Sequence, residues 1–321
     1  MTRRCEIPAY YFSDSQQLQL DDIRPFYPQF LARGLTTAVE TLDGRNSIST
    51  LCLWYAITQA QALRSIYENP LFNEKSLLNA DIGGGEPSNP HREIDKVGGE
   101  LINLIAGMLN FPVQLHVEED HKWLSVNDGK GDDPIFMLVD PIDGTNSKGR
   151  QTTGIIIADK NFRLLAGAVA SLVDPRVALF ENGKVRMWDF DHESLTLKEH
   201  QPKQERKDKP PFLRLATLSG RLEKLSATRL FQTMGRPSLL SVGGYGLLEM
   251  LDGKIDAILD PFKGQKWEEV CIWQNLLKSI GMPVTYPDGA KIDFPVILRR
   301  LSSKTKHREQ KKLPPQMLLS I

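Results

Sequence analysis

Five consecutive apolar residues at positions 135–139 constrain the fold more than any other feature of the sequence. A continuous apolar run of this length between polar segments is typical of a strand that is buried on both faces. The run ends at Asp140, and Pro-Ile-Asp143-Gly144-Thr145 follows at once. The sequence therefore predicts a buried strand whose end brings two carboxylates and a glycine turn to one place.

Hydrophobic periodicity places helices and further strands around this strand. Apolar residues recur at three- and four-residue steps over 49–68, 94–109 and 267–280, as amphipathic helices require. Residues 113–117 alternate between apolar and polar, which predicts a half-buried strand. Residues 176–188 predict a β-hairpin with Asn-Gly at its turn. The fold class that this order predicts is α+β or α/β, with antiparallel strand pairs.

One segment is polar enough to separate two halves of the chain. Residues 197–211 carry almost no apolar side chains and are interpreted as a solvated connection. We therefore predict an N-terminal extension of unknown role at 1–48, an N-terminal α+β half at 49–196, a C-terminal α/β half at 212–294 and a basic tail at 295–321.

Charge and cysteine content exclude several classes of protein. The 40 basic and 40 acidic side chains balance, so nothing indicates general attraction to a nucleic acid polymer or to an anionic membrane. The cysteines Cys5, Cys52 and Cys271 form no C-x-x-C pair, which argues against a disulfide framework and a zinc knuckle. No stretch resembles a membrane span or a signal peptide. We expect a cytoplasmic protein that acts on neither nucleic acid nor membrane.

The residues that follow the apolar run have the chemistry of a magnesium site. Asp140 and Asp143 are separated by Pro141 and Ile142, whose carbonyl oxygen is a further donor. Magnesium takes oxygen ligands in octahedral geometry, and closely spaced aspartates can bridge two ions. Gly144 and Thr145 would add backbone N–H donors for a phosphate oxygen. The same Asp-x-x-Asp spacing also occurs where a strand ends in an Asx turn, so the spacing alone leaves both interpretations open.

The full string Asp-Pro-Ile-Asp-Gly-Thr at 140–145 resembles the central motif of the inositol monophosphatase superfamily, a group of lithium-sensitive phosphatases. A second family motif, a tryptophan and an acidic residue that open a helix ending in glycine, is similar to Trp267-Glu268 through Gly281. Family members usually carry aspartate after this tryptophan. The extra methylene of Glu268 moves its oxygens, which predicts weaker or altered metal binding. Without a ligand role, Glu268 would simply stabilise the helix N-terminus.

The resemblance implies roles for three further residues. Glu118 occupies the position of a glutamate that holds a metal and helps to orient the attacking water; the alternative is an exposed charge at a strand end. Asp95 resembles the aspartate that pairs with the motif threonine, here Thr145, near the nucleophilic water; the alternative is a helix cap. By resemblance, two or three magnesium ions would be held by Glu118, Asp140, Ile142, Asp143 and Glu268.

A glycine stretch and a strand-end aspartate resemble the substrate-binding residues of the family. Gly243 and Gly244 precede a helix predicted to begin at Leu247, and Asp260 follows a predicted strand. Both features are also frequent where no ligand binds. The substrate-binding set that the resemblance implies is Gly144, Thr145, Gly243, Gly244 and Asp260.

The resemblance covers residues 50–290 in order and implies the layered αβαβα sandwich of the inositol monophosphatase and fructose-bisphosphatase type. It also implies a phosphoric monoester hydrolase that uses magnesium and a metal-activated water. An inositol monophosphate, a sugar phosphate and a 3′-phosphonucleotide all stay open as the small phosphorylated substrate. The alternative function is that of a catalytically impaired family member that binds a phosphorylated ligand or partner. Lithium sensitivity and a homodimer follow from the resemblance only.

Overall fold

The computed structural model of the protein describes fourteen segments of the chain. These are residues 23–43, 47–68, 93–118, 123–128, 133–144, 150–191, 194–200, 215–217, 239–240, 243–260, 267–282, 284–285, 290–302 and 316–319.

A mixed sheet of eight strands forms the centre of the fold, in the order β2-β1-β3-β4-β5-β6-β7-β8. β1 and β3 are parallel, and the other neighbouring pairs are antiparallel. The strands are β1 (Val113–Val117), β2 (Trp123–Val126), β3 (Ile135–Asp143), β4 (Thr152–Ala158), β5 (Leu164–Ser171), β6 (Arg176–Glu181), β7 (Lys184–Phe190) and β8 (Leu197–His200). β3 carries the apolar run, and its position inside the sheet explains why this run lacks polar residues.

Three long helices cover one face of this sheet. They are α1 (Tyr27–Thr41), α2 (Ile48–Glu68) and α3 (Glu93–Met108). α2 is buried over most of its length, between α1 and the sheet. The indole Nε1 of Trp54 in α2 donates a hydrogen bond to the carbonyl oxygen of Leu31 in α1, at 2.8 Å. The predicted extension at 1–48 therefore contributes a helix that packs on the body.

Shorter helices cover the opposite face. α4 (Gly243–Leu251) is followed by α5 (Trp267–Glu269), which continues through a π-helical turn (Val270–Gln274) into α6 (Asn275–Ser279), and α7 (Phe294–Ser302) comes last. Side chains from these helices form a second apolar cluster with the sheet residues Leu138, Ile156 and Phe180. The two clusters on opposite faces explain why β3 and β4 are buried on both sides.

A second sheet has the order β10-β9-β11-β13-β12. Its strands are β9 (Leu215–Thr217), β10 (Leu239–Leu240), β11 (Ala257–Asp260), β12 (Val284–Thr285) and β13 (Gln316–Leu319). Ile258 of β11 and Val284 of β12 share the apolar cluster of the short helices. Within the described residues, the layers thus follow the order helix, sheet, helix, sheet. β13 pairs antiparallel with β11 and β12, so part of the predicted basic tail completes this sheet.

Most predicted elements agree with the structure. One helix start is wrong, and residues 197–200, which were predicted to belong to a solvated connection, form β8 and pair with β7. The helices predicted at 49–68 and 94–109 are α2 and α3 within one residue at either end. The hairpin turn has positive φ at Asn182 (51°) and Gly183 (73°), as a type I′ turn requires. The helix expected to begin at Leu247 begins at Gly243, because the buried glycines form its first turn. The sequence also predicts a helix near 221–233, a segment that lies outside the described residues.

None of the helices in the described part of the chain combines the length and apolar character needed to cross a membrane.

Candidate active site

The carboxyl ends of β1 and β3 lie side by side because these strands are parallel. The register pairs Val117 with Val139, the residues that directly precede Glu118 and Asp140. Glu118 is 5% exposed and Asp140 is 1% exposed. Side chains alternate along a strand, and Leu138 belongs to the apolar cluster of the short helices, so Asp140 faces the same helical layer.

A β-bulge shapes the end of β3. Asp140 pairs with Gly154 and Asp143 with Thr152, so three steps along β3 match two steps along β4. The extra residue bends the strand and changes the direction of the side chains that follow. Gly144 then turns the chain with φ of 80°, a conformation that glycine adopts without strain. The bulge therefore sets the position of Asp143 relative to Asp140.

Buried polar side chains hold the backbone of this bulge. Thr153 Oγ1 donates to the carbonyl oxygen of Asp140 at 3.3 Å, and Gln59 Nε2 donates to that of Pro141 at 3.4 Å. The hydroxyl of Tyr55 lies 3.0 Å from Thr153 Oγ1. α2 and β4 thus fix the motif from two sides, which limits the positions that its carboxylates can take.

α3 brings Asp95 toward the same turn. Asp95 is the third residue of α3 and is buried. Gly98 lies one helical turn later on the same face. A Cβ atom at Gly98 would be 2.5 Å from Cβ of Pro141, so the helix packs directly on the motif. This close approach places Asp95 at the helical side of the bulge.

Asp143 joins β3 to the start of α4. Its Oδ2 accepts a hydrogen bond from the backbone N–H of Gly244 at 2.7 Å, and Thr152 Oγ1 lies 3.4 Å from the same oxygen. Gly243 and Gly244, which sequence reasoning assigned to substrate, are buried. The N–H of Gly244 is thus directed at a carboxylate of the protein.

The indole of Trp273 fills the space beside these glycines. A Cβ atom would lie 2.2 Å from the ring at Gly154, 2.3 Å at Gly243 and 3.0 Å at Gly244. Trp273 belongs to the π-helical turn after α5 and is almost completely buried. The three glycines are therefore needed for the close packing of the π-helical turn on β4 and α4.

Glu268, the second residue of α5, contacts His116 in β1. Its Oε1 lies 3.3 Å from Nε2 of His116. Cys271 follows one turn later, and burial together with the negative charge of Glu268 raises the pKa of its thiol well above the usual value. Cys271 is therefore a neutral, buried thiol at physiological pH, which excludes it as a nucleophile.

Two predicted site residues have no described side chain. Thr145 lies outside the described residues, and Asp260 is described only as the last backbone position of β11.

Solved structures of phosphatases share this architecture. The fructose-1,6-bisphosphatase of Leishmania major in its holo form superimposes with a TM-score of 0.59 and 12% identity, over 88% of this chain and 94% of that one. A dual-specific inositol monophosphatase and NADP phosphatase bound to D-inositol-1-phosphate gives a TM-score of 0.51 and 13% identity, over 76% and 82%. The chain has the fold of the inositol monophosphatase superfamily.

A calcium-bound inositol monophosphatase family protein from Staphylococcus aureus gives a TM-score of 0.50 at 13% identity, over 76% of this chain and 83% of that one. No protein-family model and no curated protein sequence matches the chain. The similar solved structures confirm, at the level of the fold, the layered sandwich that the sequence predicts.

The donor set at the ends of β1 and β3 suits a hard divalent cation. Glu118, Asp140 and Asp143 supply carboxylate oxygens at one edge of the sheet, and both oxygens of Asp140 are buried. Among the described residues, however, no three His, Cys, Asp or Glu side chains already converge as a bound ion requires. The described residues thus include side chains of the type that bind metal ions, but these side chains do not converge on one point.

Sequence reasoning missed three residues of this site: His116, Gln59 and Trp273. His116 lies in β1 two residues before Glu118, so its position near the end of this strand was readable. Gln59 interrupts the apolar face of a buried helix, which is a weaker signal. Nothing in the sequence singled out Trp273, whose glycine contacts come from distant parts of the chain.

Proposed function

We propose that the protein is a magnesium-dependent phosphatase that hydrolyses a small phosphomonoester. The bulged end of β3 supports this most directly, because Asp140 and Asp143 lie at the same end of the sheet as the buried Glu118. The superfamily fold adds support, since two of the similar structures are phosphatases by name.

In this proposal the ion would be held by Glu118, Asp140, the carbonyl oxygen of Ile142, Asp143 and Glu268. When bound, such an ion neutralises the charge that develops on the phosphoryl group and polarises the reacting oxygens. The other groups act on substrate and water. Asp95 and Thr145 orient the attacking water, while Gly144 offers its N–H to a phosphoryl oxygen.

A second candidate is a phosphate-binding protein without turnover. Two observations favour it: Asp143 already accepts the N–H of Gly244, and Glu268 is already paired with His116. Both carboxylates would have to reorient, at least in part, to share an ion. Magnesium titration by calorimetry, with and without inorganic phosphate, separates the candidates when combined with a turnover assay.

The decisive comparison is between Asp140→Asn and Asp133→Asn. Both replace a carboxylate by an amide near β3, but Asp133 is exposed, at the other end of the strand, and pairs with exposed Lys160. Asp140→Asn should abolish magnesium-dependent phosphate release from a panel of inositol, sugar and nucleotide phosphates, whereas Asp133→Asn should match the wild type. Equal turnover in the two variants would reject the proposed function. The panel also identifies which ester is the substrate.

A further inference from the structure

The guanidinium of Arg176 is buried and contacts three carboxylates. Arg176 is the first residue of β6 and is 6% exposed. Its Nη1 donates hydrogen bonds to Glu249 at 3.0 Å and to Asp252 at 2.6 Å, and its Nη2 donates to Asp174 at 2.5 Å. A guanidinium has five N–H donors in a rigid, planar arrangement, so one side chain can bind all three carboxylates at once.

These three carboxylates belong to two different parts of the fold. Asp174 lies in the connection between β5 and β6, whereas Glu249 lies in the last turn of α4 and Asp252 directly follows this helix. Tyr245, in the first turn of α4, donates its hydroxyl to Asp174 at 2.9 Å, and its ring centre lies 5.1 Å from Cζ of Arg176. Arg176 and Asp174 therefore hold α4 at both of its ends.

The connection that carries Asp174 is itself bound to the sheet. The hydroxyl oxygen of Ser171 accepts hydrogen bonds from the backbone N–H groups of Val173 and Asp174, at 3.3 Å and 2.9 Å. The N–H of Leu172 donates to the carbonyl oxygen of Gln151 at 2.9 Å. Because the connection is bound to the end of β5 and to the residue before β4, it can support α4 rigidly.

This connection lies at the same end of the sheet as Asp143. Ser171 pairs in register with Thr152 of β4, and Thr152 pairs with Asp143 of β3. From the first turn of α4, the N–H of Gly244 donates to Oδ2 of Asp143 at 2.7 Å. Gly244 directly precedes Tyr245, so the residue that contacts Asp143 adjoins the residue that is bound to the connection.

We propose that Arg176 is a positioning residue that holds α4 in the place from which Gly244 orients the carboxylate of Asp143. A contact at each end of α4 limits both the shift and the rotation of this helix, so the N–H of Gly244 keeps one direction. The inference rests on the proposed function in giving Asp143 a role in the reaction, whereas the hydrogen bond itself can be measured without turnover. A mutation that displaces a group at an active site by about 1 Å can lower the rate about 100-fold.

Arg176→Lys tests this role, and Arg186→Lys is the matched control. Lysine keeps the positive charge but replaces the planar guanidinium by a single ammonium group, so it cannot hold the three carboxylates in the same way. Arg186 also binds a carboxylate, that of Glu199, and lies over the ring of Trp188, but it is exposed and its partner belongs to β8. The readouts are the hydrogen exchange rate of the Gly244 amide, measured by NMR on the full chain, and kcat and KM for magnesium-dependent phosphate release.

In Arg176→Lys we expect the Gly244 amide to exchange about 10- to 100-fold faster, because a hydrogen bond to a charged group contributes about this factor. The kcat should fall about 10-fold or more. KM should stay near the wild-type value, since Asp143 is not among the residues proposed to bind the substrate. Arg186→Lys should match the wild type in all three quantities.

Asp252→Asn is the second variant, for the case in which Arg176→Lys does not fold. The side chain of Asp252 is 17% exposed, and its change to an amide weakens one contact of Arg176 while the other two remain. Exchange at Gly244 should again be faster, by a smaller factor.

An unchanged exchange rate at Gly244 in the variant that folds would overturn the inference. Faster exchange with an unchanged kcat would overturn it as well, because Arg176 would then act on stability alone. A wild-type protein without turnover, in which Gly244 exchange still responds to Arg176→Lys, would instead overturn the proposed function and support the placement of α4 by Arg176.

Discussion

The backbone N–H of Gly244 donates a hydrogen bond to Oδ2 of Asp143 at 2.7 Å. This contact connects the last residue of β3 to the first turn of α4, across a separation of 101 residues in the chain. It requires the helix backbone to approach the sheet edge closely, and a glycine permits that approach. The position of the second motif aspartate therefore depends on a residue without a side chain.

Gly244→Ala should disrupt this arrangement. The added Cβ would lie 2.3 Å from Oγ1 and 3.0 Å from Cβ of Thr152, and 3.0 Å from the ring of Trp273. All of these atoms belong to buried residues, so the first turn of α4 must move. Overpacking of this kind costs about 1–3 kcal/mol of unfolding free energy. Urea denaturation should show this loss, and magnesium-dependent phosphate release should fall with it because Asp143 loses its donor.

Gly107→Ala is the matched control, since Gly107 is also helical but a Cβ there meets no atom within 4 Å. This change should stabilise the protein slightly, by about 0.5–1 kcal/mol, because alanine favours the helix. Wild-type stability and turnover in Gly244→Ala would show that α4 does not position Asp143.

Replacement by alanine should affect the stability of the protein differently at two neighbouring glycines of α3. A Cβ at Gly98 would lie 2.1 Å from Nε2 of Gln59 and 2.5 Å from Cβ of Pro141, while a Cβ at Gly99 meets only Val117 Cγ1, at 4.0 Å. Gly98→Ala should therefore destabilise the protein by about 1–3 kcal/mol. Gly99→Ala should leave stability unchanged or raise it by up to about 1 kcal/mol.

The functional readout separates the two variants further. Gln59 donates to the carbonyl oxygen of Pro141, inside the metal motif. Gly98→Ala should therefore weaken magnesium binding, measured by calorimetry at a temperature where the variant is folded, and Gly99→Ala should not. Equal magnesium affinities in both variants would contradict the view that α3 positions the motif.

The part of the site that could be predicted from sequence consists of local patterns. The apolar run showed where β3 lies, and the alternation over 113–117 showed where β1 ends, so Asp140 and Glu118 were placed at strand ends. Parallel pairing of β1 and β3 then brings these ends together. Apolar residues that repeat every 2 or every 3.6 positions show which residues of a strand or helix are buried. Asp140 and Glu118 could be found because both are buried residues at a strand end.

The contacts that hold the site could not be predicted in this way. Gly98 against Gln59, and Gly243 against Trp273, are close approaches between segments far apart in sequence. In the sequence, a glycine between apolar residues looks the same whether an aromatic ring from a distant segment packs against it or no atom does. Such contacts depend on the crossing of whole helices, which no local pattern encodes.

A charge network around the buried guanidinium of Arg176 lies next to α4. The guanidinium of Arg176 contacts Glu249 at 3.0 Å, Asp252 at 2.6 Å and Asp174 at 2.5 Å. Burial alone would lower the pKa of Arg176, but these carboxylates raise it above its usual value. The hydroxyl of Tyr245 donates to Asp174 at 2.9 Å, so the first turn of α4 is tied to the β5–β6 connection.

Tyr245 should give the stability of the protein a specific alkaline pH dependence. Burial, and then its hydrogen bond to Asp174, raises the pKa of Tyr245 from 10.0 to about 12. The folded state thus holds this proton more tightly than the unfolded state, so the contribution is complete below pH 10.0 and is lost as the pH rises through about 12. Urea denaturation of wild type and Tyr245→Phe should therefore show a constant difference in unfolding free energy up to about pH 9 and a shrinking one above pH 10. Parallel curves across this window would mean that the hydroxyl of Tyr245 does not couple α4 to Asp174.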